Sequence, residues 1–203
     1  MNWGVCVNFL KEGIKEDILA LKPWKILSSK RNELVKFFNM RTDRAISPRT
    51  RIPHDFYVFE SADWINVIPL TPEEDVILIR QYRHGIRDFT LEIPGGIMER
   101  EDSPEGAAAR ELYEETGYRA KEMILLGSVH ANPAVFNNVC HTFLAKDVYT
   151  AGKQELDDKE DIEVVIKPLE EIPRLIKEGK MTHSLILAAL YRFYLEYLPS
   201  QPG

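Results

Sequence analysis

The chain has 203 residues, 44% of them hydrophobic, enough to bury one substantial core, and this length favours one domain or one domain with an appendage. A formal net charge of -6 gives no basic field for gripping a nucleic-acid backbone, so long nucleic acid is excluded as an expected partner. Cys6 and Cys140 stand apart without CxxC or Cys/His spacing, which excludes a disulfide framework and a zinc site and points to a reducing cytoplasm.

The chain opens on a short apolar run from Trp3 to Leu10, with no cationic lead and with Lys11 and Glu12 directly behind it. No signal peptide is expected there. No apolar run approaches the roughly 20 residues that span a bilayer, so no membrane association is expected. Strand-like segments follow at 24–29, 34–41 and 56–60, and 44–54, with two prolines and several arginines, reads as a connection. This predicts an N-terminal antiparallel β appendage over 1–55, joined to a main domain over 56–203.

In the main domain, 64–70 and 75–82 are rich in Val and Ile and flank the turn residues Thr71, Pro72, Glu73 and Glu74, which predicts a β-hairpin. Another strand over 89–93 ends at Pro94, Gly95 and Gly96. A helix over 103–117 is the best punctuated element: Ser103 suits the N-cap, Pro104 the first turn, and Gly117 the left-handed residue after the last turn. Strands are expected over 123–129, 139–145 and 162–167, with an acidic stretch over 155–161 before the last. The C-terminal part reads as helix over 169–177 and 182–197, where Leu185, Ile186, Ala189, Leu190 and Phe193 recur at helical spacing. Strands covered by helices, without a repeat, make the class α/β or α+β with a mixed sheet.

At about 100° per residue, Ala107, Glu111, Glu114 and Glu115 share one stripe of the helix. Glu111 and Glu115 repel at i,i+4, and Glu114 and Glu115 sit at the negative end of the helix dipole. A hard divalent cation reverses both penalties. Taken alone, the cluster is better explained by a solvated acidic face paired with Arg110 and nearby cations.

The longer stretch, Gly96-Ile97-Met98-Glu99-Arg100-Glu101-Asp102, then 103–109, then Arg110-Glu111-Leu112-Tyr113-Glu114-Glu115-Thr116-Gly117-Tyr118, resembles the Nudix box, GX5EX7REUXEEXGU, without a gap. Its one departure is Asp102, where the pattern has Glu. Arg80-Gln81-Tyr82-Arg83, then Leu91-Glu92-Ile93-Pro94-Gly95-Gly96, is similar to the lead-in of the branch of ADP-ribose pyrophosphatases and nucleoside-diphosphate-sugar hydrolases. Pro133 falls where that branch tends to have a proline.

This resemblance implies a Nudix α/β/α sandwich around a mixed sheet, with the N-terminal β appendage building a homodimer. It implies hydrolysis of the diphosphate linkage of ADP-ribose or a nucleoside diphosphate sugar, a small-molecule nucleotide substrate. Glu111, Glu114 and Glu115 would hold Mg²⁺, with Mn²⁺ as a substitute, helped by the backbone carbonyl of Gly95. Arg110 would orient the glutamates. Glu160, from the acidic run before the last strand, would be the general base or an additional metal ligand, with Asp158 as second choice.

For the substrate, Arg83 and Arg80 would face the diphosphate, Glu92 the metal or a ribose hydroxyl, and Phe56, Tyr57 or Trp64 a base. Two other readings stay open at this point. One is a different nucleoside diphosphate derivative, such as a dinucleoside polyphosphate, NADH or coenzyme A. The other is a nucleotide-binding module without turnover.

Overall fold

The computed structural model describes residues 25–35 and 38–198. The run from Trp3 to Leu10 therefore lies outside the described residues. Three strands, β1 (Lys25–Val35), β2 (Phe38–Ile46) and β3 (Pro53–Glu60), form an antiparallel sheet in the order β1-β2-β3. The segment 34–41, expected as one strand, instead spans the end of β1 and the start of β2. The expected connection over 44–54 shrinks to 47–52, because β2 continues through Ile46 and β3 begins at Pro53.

The main sheet contains β4 (Trp64–Leu70), β5 (Asp75–Arg83), β6 (Asp88–Glu92), β7 (Gly95–Ile97), β9 (Glu122–His130), β10 (Val139–Lys146) and β12 (Ile162–Pro168). Its central order is β12-β5-β4-β10-β9, with β10 parallel to β4 and the other pairs antiparallel. Two short strands, β8 (Tyr118–Arg119) and β11 (Tyr149–Thr150), form a separate ribbon.

The predicted hairpin of β4 and β5 is present at its turn but does not stay paired, since Leu70 and Val76 are its one register pair. Beyond that point β6 pairs with β5 and β7 pairs with β4, so the chain from Asp88 to Ile97 fills the widening gap. Pro94 lends its carbonyl to the Val67 N–H at 2.9 Å. This wedge sets Gly95 and Gly96 against the sheet.

Helix α1 (Pro104–Thr116) forms where predicted. The Ser103 hydroxyl accepts from the Gly106 N–H at 3.1 Å, and Gly117, at φ 75°, donates to the Tyr113 carbonyl at 2.7 Å. Only a residue without Cβ enters that left-handed conformation cheaply. The C-terminal part is a 3-10 turn (Leu169–Glu171), α2 (Ile172–Lys177) and α3 (Ser184–Arg192), which runs on into a π turn (Phe193–Tyr197).

Alternation along the strands sends alternate side chains to opposite faces of the sheet. Ile65, Val67, Ile77 and Phe143 pack on Ala107, Ala108 and Leu112 of α1, while Ile68, Leu78 and Leu144 pack on Ile172, Ile186 and Phe193 on the other side. The result is the expected α/β/α sandwich around a mixed sheet. Each fully buried Leu, Ile or Phe contributes about 1.5–3 kcal/mol, so α1 is held chiefly by its apolar face. Among the described residues no helix is long and apolar enough to cross a membrane.

The N-terminal sheet meets the sandwich through Phe59 and the 131–138 loop. The Phe59 N–H donates to the Val135 carbonyl at 2.7 Å, and Phe136 packs against Phe38, Phe59 and Trp64. This contact brings the end of β3 to the rim of the sandwich.

Candidate active site

The glutamate stripe of α1 faces inward. Glu111 and Glu115 are buried and Glu114 is half-buried, and all three line a cleft. The close approach of β7 causes this. A Cβ on Gly96 would stand 2.6 Å from the Glu111 carboxylate, and one on Gly95 would stand 2.3 Å from the Ile65 carbonyl oxygen. Two glycines thus let a strand and a helix meet with a carboxylate between them. The Gly95 N–H donates to Glu115 Oε2 at 2.8 Å.

Arg110 ties the stripe together as expected. Its Nη1 donates to Glu111 Oε1 and to Glu114 Oε2, both at 2.9 Å, and its Nη2 donates to Asp102 Oδ2 at 3.0 Å. Asp102 also accepts from the Glu99 N–H at 3.2 Å, which closes the turn ahead of α1. The shorter acid at the one variant position of the box therefore still braces the arginine. The hydrogen bond from Arg110 holds the Asp102 carboxyl below its usual range, and the Glu99 N–H adds to this.

Burial pushes Glu111 up to about 7, against the opposing pull of Arg110. Glu115 is pushed up to about 8, again by burial, with the Gly95 N–H working the other way and the charges of Glu111 and Glu160 adding to the rise. These carboxylates want a positive partner. Burial disfavours the Arg110 cation too, but Asp102, Glu111 and Glu114 outweigh it and hold the guanidinium above its usual value.

The stripe forms one wall of a cleft of about 930 Å³. Glu160 lines it together with Glu155, Asp157 and Lys159, from the segment before β12. Gln81 and Arg83 of β5 enter from the sheet, and Asn39, Glu60 and Asn137 close the side nearest the N-terminal sheet. Arg83 makes a two-pronged ion pair with Glu92, at 2.9 and 2.7 Å. Glu92 is buried and also accepts from the Thr90 hydroxyl. Burial favours the neutral acid of Glu92, but Arg83 and Thr90 together leave its carboxyl below the usual range.

Glu111, Glu114, Glu115, Gly95, Arg110, Arg83 and Glu160 are thus brought to one cleft, and Asp158 is not among the residues lining it. Glu92 stands behind Arg83 and lines a smaller recess of about 220 Å³ on the far side of β7, where Trp64 also lies. Arg80 pairs instead with Glu163 at 3.1 Å and covers the Phe89 ring, because strand alternation points it away from the face that carries Gln81 and Arg83. Phe56 and Tyr57 are exposed on β3, and Pro133 is exposed in the 131–138 loop; none of the three lines the cleft. Sequence reasoning missed Gln81, whose parity with Arg83 on β5 was the available signal. Asn39, Glu60 and Asn137 arrive by long-range packing and left no local signal.

The donor set suits a divalent cation. Among the described residues no three His, Cys, Asp or Glu side chains close on a common point. Arg110 draws on Glu111 and Glu114, while the Gly95 N–H holds Glu115. Ions of the magnesium type need no closed cage, since they keep several waters and take one or two carboxylates plus substrate phosphates. Two buried carboxylates with raised proton affinity, opening on a cleft, meet that need.

A carboxylate helix laid across a glycine-rich strand of a mixed sheet defines a recognised class of domain. Residues 62–190 match the NUDIX domain, and the chain belongs to the Nudix family. It is 34% identical over 118 residues to an ADP-ribose pyrophosphatase of Bacillus subtilis (strain 168), covering 58% of this chain and 64% of that one. It is 34% identical over 146 residues to an ADP-sugar pyrophosphatase of Mus musculus, covering 67% of each. The chain thus spans about two thirds of the length of these curated relatives. A crystal structure of an ADP compounds hydrolase superposes with a TM-score of 0.76 at 21% identity, over 86% of this chain and 94% of that chain, which establishes the shared fold.

Proposed function

We propose that this chain is a pyrophosphohydrolase that cleaves the diphosphate linkage of ADP-ribose or a nucleoside diphosphate sugar, using Mg²⁺. The products would be a nucleoside monophosphate and a sugar phosphate. The observation that carries this reading is the convergence of Glu111, Glu114, Glu115 and Glu160 on one cleft with Arg83. The names of the relatives favour an ADP-linked sugar as substrate.

A diphosphate resists water because its negative charge repels a nucleophile and leaves the departing phosphate poorly stabilised. Mg²⁺ held by Glu111, Glu115 and Glu114 would neutralise phosphate oxygens and lower the pKa of a bound water. Glu160 lines the same cleft as these carboxylates and is the group proposed to take a proton from the attacking water. One P–O bond forms to the water oxygen and the P–O bond to the leaving phosphate breaks. Arg110 keeps Glu111 and Glu114 oriented. Arg83, fixed by Glu92, offers its exposed side to the diphosphate.

The N-terminal β appendage, residues 1–55, is proposed to build a homodimer; the exposed Ile52 supports that role, as do Phe56 and Tyr57, exposed just past its boundary on the same strand β3. The free, buried Cys140 suits a reducing compartment, and the cytoplasm is the proposed location. Purified protein with Mg²⁺ and a panel of ADP-ribose, ADP-glucose, GDP-mannose, NADH, coenzyme A and a dinucleoside polyphosphate tests the reading. The highest kcat/KM is expected for ADP-ribose or a nucleotide sugar. Absence of turnover for every member of the panel would refute it.

A further inference from the structure

The acidic segment that carries Glu160 lies against the wrong end of a helix. The last carbonyls of α1 carry the negative end of its dipole, and Glu114 and Glu115 add their own charge. Glu155, Asp157 and Glu160 should be driven away from this turn. Hydrogen bonds to those carbonyls hold the segment in place.

Ala151 and Gly152 donate to the Gly117 carbonyl at 2.9 and 3.1 Å, and the Glu155 N–H donates to the Glu114 carbonyl at 2.8 Å. Gln154 makes the remaining link. Its Nε2 donates to the Glu115 carbonyl at 2.6 Å and to the Ile162 carbonyl at 3.1 Å. An amide nitrogen has two hydrogens, so one group serves both acceptors. One acceptor is on the turn that bears the glutamate stripe; the other is the first residue of β12. The side chain therefore clasps both ends of the 155–161 segment. Between them, the Glu160 N–H donates to the Asp157 carbonyl at 2.9 Å, and the Asp157 N–H donates to Glu160 Oε2 at 3.0 Å.

We propose that Gln154 is a positioning residue, whose clasp on the Glu115 and Ile162 carbonyls sets the reach of Glu160 to the carboxylate stripe. The inference rests on the reading of Glu160 as general base. Gln154 lies on the segment between β11 and β12, outside the helices that cover the sheet. Loss of the clasp changes the distance from Glu160 to its target.

The test is a double-mutant cycle on the full chain with Mg²⁺ and ADP-ribose, using Gln154→Met, which keeps the volume and removes both donors. Gln154→Met is expected to lower kcat by roughly tenfold to a hundredfold, the size of effect that a displacement of about 1 Å produces. KM and the Mg²⁺ concentration at half-maximal rate should stay within twofold. In combination with Glu160→Gln it should cost nothing beyond Glu160→Gln alone.

A native kcat for Gln154→Met, or a loss that multiplies in full with that of Glu160→Gln, would overturn the proposal. A Glu160→Gln variant with native kcat would instead remove the base assignment. Circular dichroism melting accompanies each variant. If Gln154→Met does not fold, Gln154→Asn, which withdraws the amide by one methylene, serves in the same cycle with the same outcomes.

Discussion

Replacing Gly96 with alanine puts a methyl carbon 2.6 Å from Cδ and both oxygens of the Glu111 carboxylate. Ordinary contact begins near 3.4 Å, so the two groups must separate by about 0.8 Å. Gly96 is in register with Ile65 on β4 and is poorly placed to retreat, whereas the carboxylate is the free end of a side chain. Glu111 therefore swings, and its 2.9 Å hydrogen bond from Arg110 Nη1 breaks. A displacement of that size at a catalytic group costs about 10²-fold in kcat/KM, equivalent to about 2.7 kcal/mol. Steady-state hydrolysis of ADP-ribose over a Mg²⁺ titration reads the effect, and a thermal melt within a few degrees of native is expected alongside. Activity within twofold of native, with unchanged Mg²⁺ dependence, would refute the placement of Glu111 as a working group.

At the neighbouring glycine the balance reverses. Gly95→Ala meets the Ile65 backbone carbonyl at 2.3 Å, so it should lower the melting temperature markedly as well as abolish turnover, read by calorimetry. Arg83→Gln leaves the buried Glu92 carboxylate leaning on the Thr90 hydroxyl and should destabilise the fold by about 2 kcal/mol at pH 7 in urea titration. In the native protein Glu92 is held below its usual value, so its stabilisation is present above the unfolded pKa and is lost as pH falls through the folded one. The deficit of the variant should therefore shrink as pH falls towards 4, and a deficit constant with pH would contradict the ion-pair account. Burial, with the nearby Asp63, pushes the Cys140 thiol up to about 12, so iodoacetamide at pH 8 should leave Cys140 unlabelled until denaturant is added, as mass spectrometry of its peptide would show.

The helix was legible because its signals are local. Ser103, Pro104 and Gly117 act within one turn of where they stand, and the glutamate stripe follows from helical period alone. The role of Arg110 was equally accessible, since i,i+4 geometry puts Glu114 within its reach. The sheet was less legible. Val and Ile content marked β4 and β5 as strands but did not reveal that β6 and β7 would wedge them apart.

Substrate-side residues were the hardest. Arg80 and Arg83 look alike in sequence, yet strand parity sends one to an exposed pair with Glu163 and the other to the cleft. Glu92 is chemically a candidate ligand, but only tertiary packing shows that Arg83 and Thr90 already occupy it. Gln154 carries no motif signal at all. Its role depends on two carbonyls that come within reach only once α1 and β12 are in place.

The most direct test compares native protein with Glu115→Gln in Mg²⁺-dependent release of AMP from ADP-ribose. Glu115 is buried at the C-terminal end of the stripe, and its amide counterpart keeps the shape while removing the negative charge it can offer a cation. The native chain should turn over ADP-ribose only with divalent cation, and Glu115→Gln should lose about 10²-fold or more while melting no earlier than native. Native-rate release of AMP by Glu115→Gln, or hydrolysis by the native chain that persists in excess chelator, would contradict the assignment of this cleft as the site of diphosphate cleavage.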